Sequence, residues 1–457
     1  MNRIEVIVLF DIGKTNKKAV LFDRELNVVE EKESIFNEVV DDDGFPCDDA
    51  EKLESWIDQT LAGYLDHAEY EVKGMNFSTY GATLVFLDET GQRCTPIYNY
   101  LKPLPEEVME GFYDKYGGLV EFSRRTASPA LGLINSGLQI LWLKKTKPEV
   151  YQRVKTILHL PQYLSFRLTG KALSEHTSVG CHTVMWDFDH MKYHPWIVEE
   201  GISLPEPGAI SEIVPVTLGK STIPIGKGIH DSSASLAPYI IAAEEPFILV
   251  STGTWCINMN PFNHEPLTAD ELSQDCLCFL SVKKRPVKSS RFFLGRIHDI
   301  NVERLESFFK VKKGSYKGIN PGREKIHKCW LASRDGGVFF KDGIPEEYLD
   351  RSVDLDQYAS FEEAYIQLMV DLSRKVVHSI ELIIPGEDNT KHLYITGGFA
   401  KNPIFTTIMA IAFSEKRVFT SEVDNATSLG AALVIANQIW EGFNESLDLG
   451  LKEVFVT

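Results

Sequence analysis

Short apolar runs joined by polar residues open the chain. Residues 6–10 are apolar, residues 11–18 form a mostly polar stretch, and residues 19–22 are apolar again. The first run is rich in β-branched residues, and two such runs joined by turn-like residues are typical of paired strands rather than of a strand that enters a helix. The pattern therefore predicts a β-hairpin at the start of the chain.

A second pattern of the same form begins near the middle of the chain. Residues 247–250 are apolar, residues 251–254 are turn-like, and residues 255–257 resume with Trp, Cys and Ile. The two patterns are weakly alike in identity but similar in form, which is the signature of an internal duplication. We therefore predict a second hairpin that echoes the first.

Helical periodicity fills much of the remaining chain. Apolar residues spaced by three or four positions predict helices, over residues 49–65, 136–145, 149–158, 161–169, 361–384 and a segment after residue 403. Pro161 suits a helix start and Gly170 a helix end, and Ser360 and Glu363 have the spacing of a capping box. Short apolar runs predict further strands, at residues 75–77, 83–87 and 392–395.

Strands and helices alternate along the 457 residues, which predicts an α/β chain too long for one ordinary core. We expect two domains, each with a mixed sheet covered by helices on both sides. The boundary is set near Pro238, between the two hairpins, and gives units of residues 1–242 and 243–457.

Composition and charge narrow the classes of function. Apolar residues make up 44% of the chain and charged residues 25%, as in folded globular proteins. The net charge of −18 disfavours nucleic acid and anionic membrane surfaces as partners. The seven cysteines are odd in number and scattered, so we expect reduced thiols rather than a disulfide framework. We find no pattern of a secretory signal or membrane span and expect a cytoplasmic protein.

The turn of the first hairpin has the residues that a phosphate site requires. Gly13 allows close approach of a ligand to the backbone, Thr15 and Asn16 offer hydrogen-bonding groups, and Lys14 offers charge. Asp11, at the end of the strand, is suited to hold a hydrated magnesium ion. The segment is not a Walker A loop, and a plain polar hairpin turn remains an equal reading of these residues alone.

Two further turns have similar chemistry. Thr252, Gly253 and Thr254 join the strands of the second hairpin. A diglycine lies between a predicted strand and a predicted helix, where a nucleotide can approach the helix N-terminus, in the segment Gly397, Gly398, Phe399, Ala400, Lys401 and Asn402. An ordinary tight turn is the favoured reading of either segment taken alone.

Asp231 is the candidate catalytic carboxylate. It follows the glycine-rich segment at residues 226–228, comes directly after His230, and precedes small residues. Phosphoryl transfer to a hydroxyl needs a carboxylate that accepts the hydroxyl proton. The alternative is that Asp231 is a helix N-cap, a common use of aspartate.

These segments, taken together and in order, resemble the FGGY family of carbohydrate kinases, which share the actin/hexokinase-type, ribonuclease H-like fold. Arg167-Leu168-Thr169-Gly170 and residues 426–432 also resemble family segments. The resemblance implies ATP and Mg²⁺ as cofactors in a cleft between the domains, with Asp231 as general base and Asp11 positioning magnesium. It implies phosphate contacts from Gly13, Lys14, Thr15, Asn16, Thr252, Gly253 and Thr254, and adenosine contacts from Gly397, Gly398, Ala400 and Asn402.

The resemblance also implies a set of sugar-binding residues, namely Thr79, Tyr80, Gly81, Tyr98 and His230, together with Asp231 itself. Tyr98-Asn99-Tyr100 stands where many members of the family carry Trp-x-Asp, so an acidic sugar ligand is missing there. The pattern is nearer to the fuculokinase and rhamnulokinase branches, and implies a ketose or deoxy-ketose such as L-fuculose, L-rhamnulose or xylulose. For each tyrosine, core packing is an equal alternative.

Two other functions remain open at this stage. The same fold serves actin-like ATPases that drive a partner, and a non-catalytic sugar or nucleotide sensor is a further alternative. A homodimer is compatible with any of these functions, and no residue pattern argues for it.

Overall fold

The computed structural model describes residues 3–333, 339–443 and 447–455. Its strands, in chain order, are β1 (Ile4–Ile12), β2 (Asn16–Phe22), β3 (Val28–Ile35), β4 (Val39–Val40), β5 (Pro46–Cys47), β6 (Tyr70–Thr79), β7 (Leu84–Leu87), β8 (Thr156–His159), β9 (Ser174–Glu175), β10 (Trp186–Asp187), β11 (Lys192–Tyr193), β12 (Pro207–Gly208), β13 (Ile213–Leu218), β14 (Ser221–Gly226), β15 (Ile229–His230), β16 (Phe247–Thr252), β17 (Cys256–Asn260), β18 (Cys276–Leu280), β19 (Pro286–Phe292), β20 (His392–Gly397), β21 (Arg417–Thr420) and β22 (Lys452–Glu453).

The α-helices of the same residues are α1 (Ala50–Leu65), α2 (Glu106–Met109), α3 (Phe112–Lys115), α4 (Leu119–Arg125), α5 (Gly137–Thr146), α6 (Pro148–Tyr151), α7 (Leu160–Thr169), α8 (His176–Val179), α9 (Trp196–Glu199), α10 (Asp231–Ala242), α11 (Ala269–Ser273), α12 (Leu294–Phe309), α13 (Arg323–Ala332), α14 (Phe361–Glu381), α15 (Pro403–Ala412) and α16 (Ala426–Ile439). Among the described residues, no helix combines the length and the apolarity that crossing a bilayer requires.

Two large mixed sheets repeat one pairing order. In the first sheet, β3, β2 and β1 pair antiparallel, and β6 and β14 follow in parallel. In the second sheet, β19, β17 and β16 pair antiparallel, and β20 and β21 follow in parallel. The two predicted hairpins are therefore the opening pairs of two equivalent sheets.

Several predicted elements are confirmed, together with the residues that end them. The Asp49 carboxylate caps α1 by accepting the Lys52 N–H at 3.0 Å. Helix α7 ends at Gly170, whose φ of +63° is readily adopted by glycine. The Ser360 hydroxyl caps α14 by accepting the Glu363 N–H at 3.2 Å. Local capping chemistry thus fixes these boundaries.

The predicted helix over residues 149–158 is wrong in its second half. Helix α6 ends at Tyr151, and residues 156–159 form β8, which pairs antiparallel with β7. The side chains of Ile157 and Leu158 are both buried, and they belong to two different core clusters. A short apolar run does not separate helix from strand by periodicity, and pairing with a distant strand decides this segment.

Helices α10 and α16 lie against each other between the two sheets. Helix α16, which comes from the C-terminal part of the chain, packs on β1 and β6 of the first sheet. Leu236 and Tyr239 of α10 join a core cluster with Phe247 and Leu249 of the second sheet. The proposed domain boundary, between residues 242 and 243, coincides with the end of α10 and precedes β16, whereas Pro238 lies inside α10.

Candidate active site

Asp231 begins α10, directly after the short strand β15. That strand pairs in parallel with β6 and places His230 opposite Thr79, where β6 ends. The N-cap residue of α10 is His230, and the Asp231 carboxylate accepts the N–H of the next residue, Ser232, at 2.6 Å. Asp231 is therefore not the N-cap that the alternative reading required, and the positive end of the helix dipole favours its ionised form.

A buried chain of polar side chains holds Asp231 in place. His230 Nε2 lies 3.0 Å from Asp231 Oδ1 and 3.4 Å from Cys181 Sγ, and Cys181 Sγ lies 3.1 Å from His182 Nδ1. Burial by itself raises the pKa of the Cys181 thiol, but the two imidazoles outweigh burial and lower that pKa to about 6. The structure thus links the carboxylate to a thiol that the sequence did not single out.

The pKa of Asp231 lies below its usual value. Burial alone would raise that pKa, but the charge and the hydrogen bond of His230, and the N–H of Ser232, outweigh burial. Burial also opposes the positive charge of His230, yet Cys181 and Asp231 raise the pKa of His230 well above its usual value. Asp231 is therefore ionised at neutral pH, as a proton acceptor must be.

Gly81 makes room for His230. A methyl group at Gly81 would stand 2.9 Å from His230 Nε2 and 3.9 Å from Cys181 Sγ. The predicted substrate loop, through Thr79 and Gly81, therefore lies directly against the residue that holds the candidate base. Any side chain at position 81 would push on that imidazole.

Asp11 lies near the end of β1, and its charge and that of Asp231 influence each other. Burial first, and then the negative charge of Asp231, raise the pKa of Asp11 to about 7. Lys18 and the Ser428 hydroxyl, which lies 3.4 Å from Asp11 Oδ2, lower it in part. The structure thus brings together the two carboxylates for which the sequence suggested separate roles.

Replacing Asp11 with asparagine should stabilise the protein in the absence of ligands. A carboxyl whose folded-state pKa is raised to about 7 contributes most to stability at low pH and loses that contribution as pH rises from its ordinary value of 3.8. We expect the variant to gain on the order of 1–3 kcal/mol near pH 8, and less near pH 5. Thermal unfolding at both pH values measures the gain.

The exposed Asp114 of α3 provides the control for this stability measurement. Asp114→Asn should unfold at nearly the wild-type temperature at both pH values, because no buried charge is removed. A lower melting temperature for Asp11→Asn than for wild type near pH 8 would show that the ionised Asp11 carboxylate does not destabilise the folded protein.

The loop between β1 and β2 is shorter than predicted. Residues 13–15 form the turn, closed by Gly13 N–H donating to the Asn16 carbonyl at 2.9 Å, while Asp11 and Asn16 lie on the strands. Asn16 Oδ1 is a buried acceptor for which the described residues supply no partner. Thr15 is exposed at the tip of the turn. This arrangement leaves Asn16 Oδ1 and the exposed Thr15 available to a ligand.

Lys14 does not extend to solvent. Its amino group lies 2.8 Å from Asp48 Oδ2 and 3.2 Å from Glu38 Oε1. Lys18 instead lies close enough to Asp11 to lower its pKa, and pairs with Glu31 at 2.7 Å. Of the lysines near this loop, Lys18 is thus the one whose charge reaches the candidate metal site.

The two turns of the second sheet meet each other closely. Gly397 has a φ of +82°, and a methyl group there would stand 1.8 Å from the Thr252 carbonyl oxygen. The Thr252 hydroxyl accepts the Phe399 N–H at 3.0 Å. The predicted phosphate turn and the predicted adenosine turn are therefore neighbours, and glycine at 397 is required for that contact.

A cavity of about 570 Å³ opens beside these turns. Four predicted nucleotide residues line it, namely Gly253, Thr254, Gly398 and Asn402. Gly397 and Ala400 flank the same segment, with Ala400 in a short 3-10 helix at Gly398–Lys401. The volume suits a drug-sized ligand, so the turns border a real binding space.

Helix α12 contributes lining residues that the sequence did not reveal. Gly295, His298 and Asp299 face the cavity from this helix, and a methyl group at Gly295 would stand 2.3 Å from the Gly253 carbonyl oxygen. Asn402 is held in place because it caps α15 and donates to the Tyr365 hydroxyl at 2.8 Å. No local motif marks α12, and only the folded contact shows its part in the site.

The tyrosines proposed for the sugar end have different surroundings. The Tyr98 hydroxyl donates to Asp42 at 3.1 Å, and its buried ring lies 4.7 Å from that of Trp142, which is a core environment. The Tyr80 hydroxyl donates to Asp48 at 2.6 Å. Burial raises the pKa of Tyr100 most, and the charges of Asp48 and Asp231 also raise it, while Lys14 lowers it.

Comparisons with known proteins agree with this geometry. The chain is similar to a solved carbohydrate kinase from Novosphingobium aromaticivorans, with a TM-score of 0.78, 24% identity, and coverage of 99% of this chain and 94% of that one. This likeness shows the fold. The predicted α/β fold class, with two domains that each contain a mixed sheet, is thereby confirmed.

Two curated relatives are similar in sequence. The rhamnulokinase of Oceanobacillus iheyensis is 23% identical over 253 residues, which is 52% of this chain and 52% of that protein. The chain thus spans about half the length of that relative. The L-fuculokinase of Haemophilus influenzae is 21% identical over 458 residues, with coverage of 94% of this chain and 93% of that protein.

Family comparisons cover both halves of the chain. Residues 6–236 match the N-terminal domain of the FGGY family of carbohydrate kinases, and residues 244–442 match the FGGY carbohydrate kinase C-terminal domain. The matches include Asp11, Asp231 and the turns that border the cavity. The chain belongs to the FGGY family of carbohydrate kinases.

Proposed function

We propose that this protein transfers the γ-phosphate of ATP to a hydroxyl group of a small sugar. The observation that carries the proposal is the placement of two carboxylates. Asp231 begins α10 with Oδ1 held by His230 and the Ser232 N–H, and Asp11 lies near the end of β1 with Oδ2 3.4 Å from the Ser428 hydroxyl. Their surroundings move their pKa values in opposite directions, down for Asp231 and up to about 7 for Asp11. Two carboxyl groups whose pKa values differ in this way suit two different roles, one as a proton acceptor and the other as a cation ligand.

Asp231 accepts the proton of the sugar hydroxyl in this proposal. The bonds that orient its carboxylate, from His230 Nε2 and from the Ser232 N–H, go to Oδ1. We therefore assign Oδ2 as the atom that receives the proton. The hydroxyl oxygen then attacks the γ-phosphorus in line, and the bond to the β-phosphate oxygen breaks to release ADP.

Asp11 fits the role of the magnesium ligand. Magnesium prefers oxygen ligands and keeps several of its waters, and Asp11 is a buried carboxylate whose ionised form gains from a cation. When bound with ATP, magnesium would neutralise charge on the phosphates. Lys18 adds a fixed positive charge near Asp11, and Asn16 Oδ1 is a further buried oxygen in the same loop.

The nucleotide occupies the cavity beside α12 in this proposal. Thr252, Gly253 and Thr254 would contact phosphates, and the turn at Gly397 and Gly398 would border the adenosine. Glycine at positions 295 and 397 lets backbone segments approach each other beside the cavity. Because glycine has no side chain, a nucleotide can also approach the main chain closely.

The acceptor is a ketose or deoxy-ketose, and the reaction takes place in the cytoplasm, where ATP is available. The similarity to a rhamnulokinase and an L-fuculokinase supports this class of sugar. His230 and Gly81, which lie against each other beside Asp231, would contact the sugar.

A coupled assay of ADP release tests the proposal. Wild-type protein with magnesium and ATP is given a panel of ketoses, deoxy-ketoses, aldoses and polyols. We expect one or more sugars to raise ADP release well above the sugar-free rate. ADP release that no sugar changes but that a protein partner stimulates would favour an actin-like ATPase, and tight ATP binding with no release would favour a sensor.

A further inference from the structure

A lysine and an aspartate form a contact that the proposed mechanism does not use. Lys14 lies in the turn between β1 and β2, yet its amino group points to Asp48 and Glu38, at 2.8 and 3.2 Å, rather than along the turn. The Lys14 and Asp48 side chains are 22% and 11% exposed. The pair is therefore largely shielded, yet still open to a small ligand.

Asp48 is the centre of this contact. Its Oδ2 accepts hydrogen bonds from Lys14 and from the Tyr80 hydroxyl, at 2.8 and 2.6 Å, and its Oδ1 lies 3.5 Å from Lys17 Nζ. Among the residues that the structure describes, Oδ1 has only this long side-chain contact, with Lys17, and so has capacity to accept more. A shielded ion pair adds little net stability, because removing both charges from water costs about as much as their attraction returns.

Tyr80 and Tyr100 lie beside the pair formed by Lys14 and Asp48. Asp48 forms a β-bridge with Ile97, so the Asp48 segment runs beside the segment that leads to Tyr100. The Tyr100 ring lies 5.9 Å from the Tyr80 ring and 6.0 Å from Lys14 Nζ. The Tyr80 hydroxyl donates to Asp48, and the next residue, Gly81, lies against His230, which holds Asp231. The pair thus borders the loop that leads to the candidate base.

The hydroxyl of Tyr100 reports the same placement. Burial raises its pKa most; Lys14 lowers that pKa, and both Asp48 and Asp231 raise it. Both carboxylates are therefore close enough to act on one hydroxyl. The segment from residue 98 to residue 100 carries no acidic side chain, and Asp48 and Glu38 are the carboxylates that contact Lys14.

We propose that Asp48 and Lys14 are the residues that recognise the sugar. This inference rests on the proposed function and extends it to specificity. Asp48 accepts a hydrogen bond from one sugar hydroxyl, and Lys14 donates to the oxygen on the neighbouring carbon. The pair thus suits a neutral sugar with two adjacent oxygens, such as the hydroxy-ketone or vicinal diol of a ketose.

The balance of charges around Asp48 favours a neutral ligand. Lys14 and Lys17 are balanced by Asp48 and Glu38, so the cluster has no excess positive charge for a carboxylated sugar. Since a buried uncompensated charge is costly, we expect ketoses to be preferred over the corresponding aldonates.

The test uses Asp48→Asn, Lys14→Met and the double variant. Losing a hydrogen bond to a charged group should raise KM for the sugar roughly 10- to 100-fold, with KM for MgATP within about 2-fold of wild type. The double variant should cost less than the product of the two single effects, because the residues act as a pair. Isothermal calorimetry with the sugar alone should show the same loss of affinity without turnover.

A matched control removes a similar ion pair far from the site. Lys416 and Asp388 form a pair in the second half of the chain, with side chains 3% and 19% exposed. Asp388→Asn should leave KM for the sugar unchanged. If Asp48→Asn does not fold, Lys14→Met carries the test, because Lys14 lies in a surface turn.

The outcomes separate this inference from the proposed function. Sugar-stimulated ADP release with normal sugar KM in Asp48→Asn and Lys14→Met overturns the inference and leaves the function standing. Sugar binding that depends on Asp48, without ADP release in wild type, supports the inference and overturns the function. A raised KM for MgATP alone in Lys14→Met would assign Lys14 to phosphate. Failure of wild type to bind any sugar or polyol of the panel would overturn both the inference and the proposed function.

Discussion

Asp231→Asn should reduce kcat by roughly 10²–10⁴-fold, the usual contribution of a general base. Asparagine is nearly isosteric and can still accept the Ser232 N–H, but it cannot accept a proton from the sugar. His230 loses its ionic partner, so we also expect its pKa to fall from the raised value that Asp231 helps to maintain. Steady-state kinetics with the best sugar measures the loss of kcat, and NMR titration of the histidine imidazoles measures the fall in the His230 pKa. Calorimetry checks that ATP still binds.

Asp270 provides the matched control for Asp231. It also lies in the first turn of a helix, α11, but at an exposed position. Asp270→Asn should keep wild-type kcat. This result would show that loss of a charge at a helix terminus does not by itself cause the low kcat of Asp231→Asn. ATP affinity should be close to wild type in both variants. A kcat for Asp231→Asn within about 3-fold of wild type would remove Asp231 from the role of base, since such a base supplies at least roughly 10²-fold.

Among the glycines within helices, Gly430→Ala should be the most damaging substitution. A methyl group at Gly430 would stand 1.9 Å from the carbonyl oxygen of Ala234, so α16 and α10 must move apart. Ala234 follows Asp231 by one helical turn, and Ser428, which contacts Asp11, precedes Gly430 on α16. The displacement therefore reaches both carboxylates.

We expect Gly430→Ala to lose roughly 1–3 kcal/mol of stability from overpacking and at least about 10-fold in kcat, since small displacements of reacting groups are costly. Gly63→Ala is the control, because Gly63 lies in α1 with open space at its Cβ position. That change should stabilise by about 0.5–1 kcal/mol, the advantage of alanine in a helix. Chemical denaturation and kinetics of both variants check this account, and wild-type stability in Gly430→Ala would contradict it.

Local sequence signals predicted much of the fold. The hairpins at residues 6–22 and 247–257 are recognisable because apolar runs and polar turns alternate over a few residues, and strand pairing between neighbours is local. Helix α14 was predicted from its apolar stripe and its Ser360 cap. The failed helix at residues 156–158 shows the limit, because its strand partner β7 lies about seventy residues earlier in the chain.

The candidate site was predicted only in part, for the same reason. Asp11 was singled out because it ends an apolar run typical of a strand, and Asp231 because it follows a glycine-rich segment and precedes small residues. The orientation of Lys14 toward Asp48, the proximity of Tyr100 to Asp231, and the share of α12 in the cavity all depend on contacts between distant segments. A single sequence carries no direct signal of such contacts.

Phosphorus NMR of the reaction mixture tests the central claim most directly. Wild-type protein, ATP, magnesium and the sugar selected by the ADP assay are followed in parallel with Asp231→Asn. We expect a new sugar-phosphate resonance to grow in step with ADP in the wild-type sample, and to be nearly absent with the variant while ATP still binds. Inorganic phosphate in place of the sugar phosphate, or equal sugar phosphate from both proteins, would contradict the account.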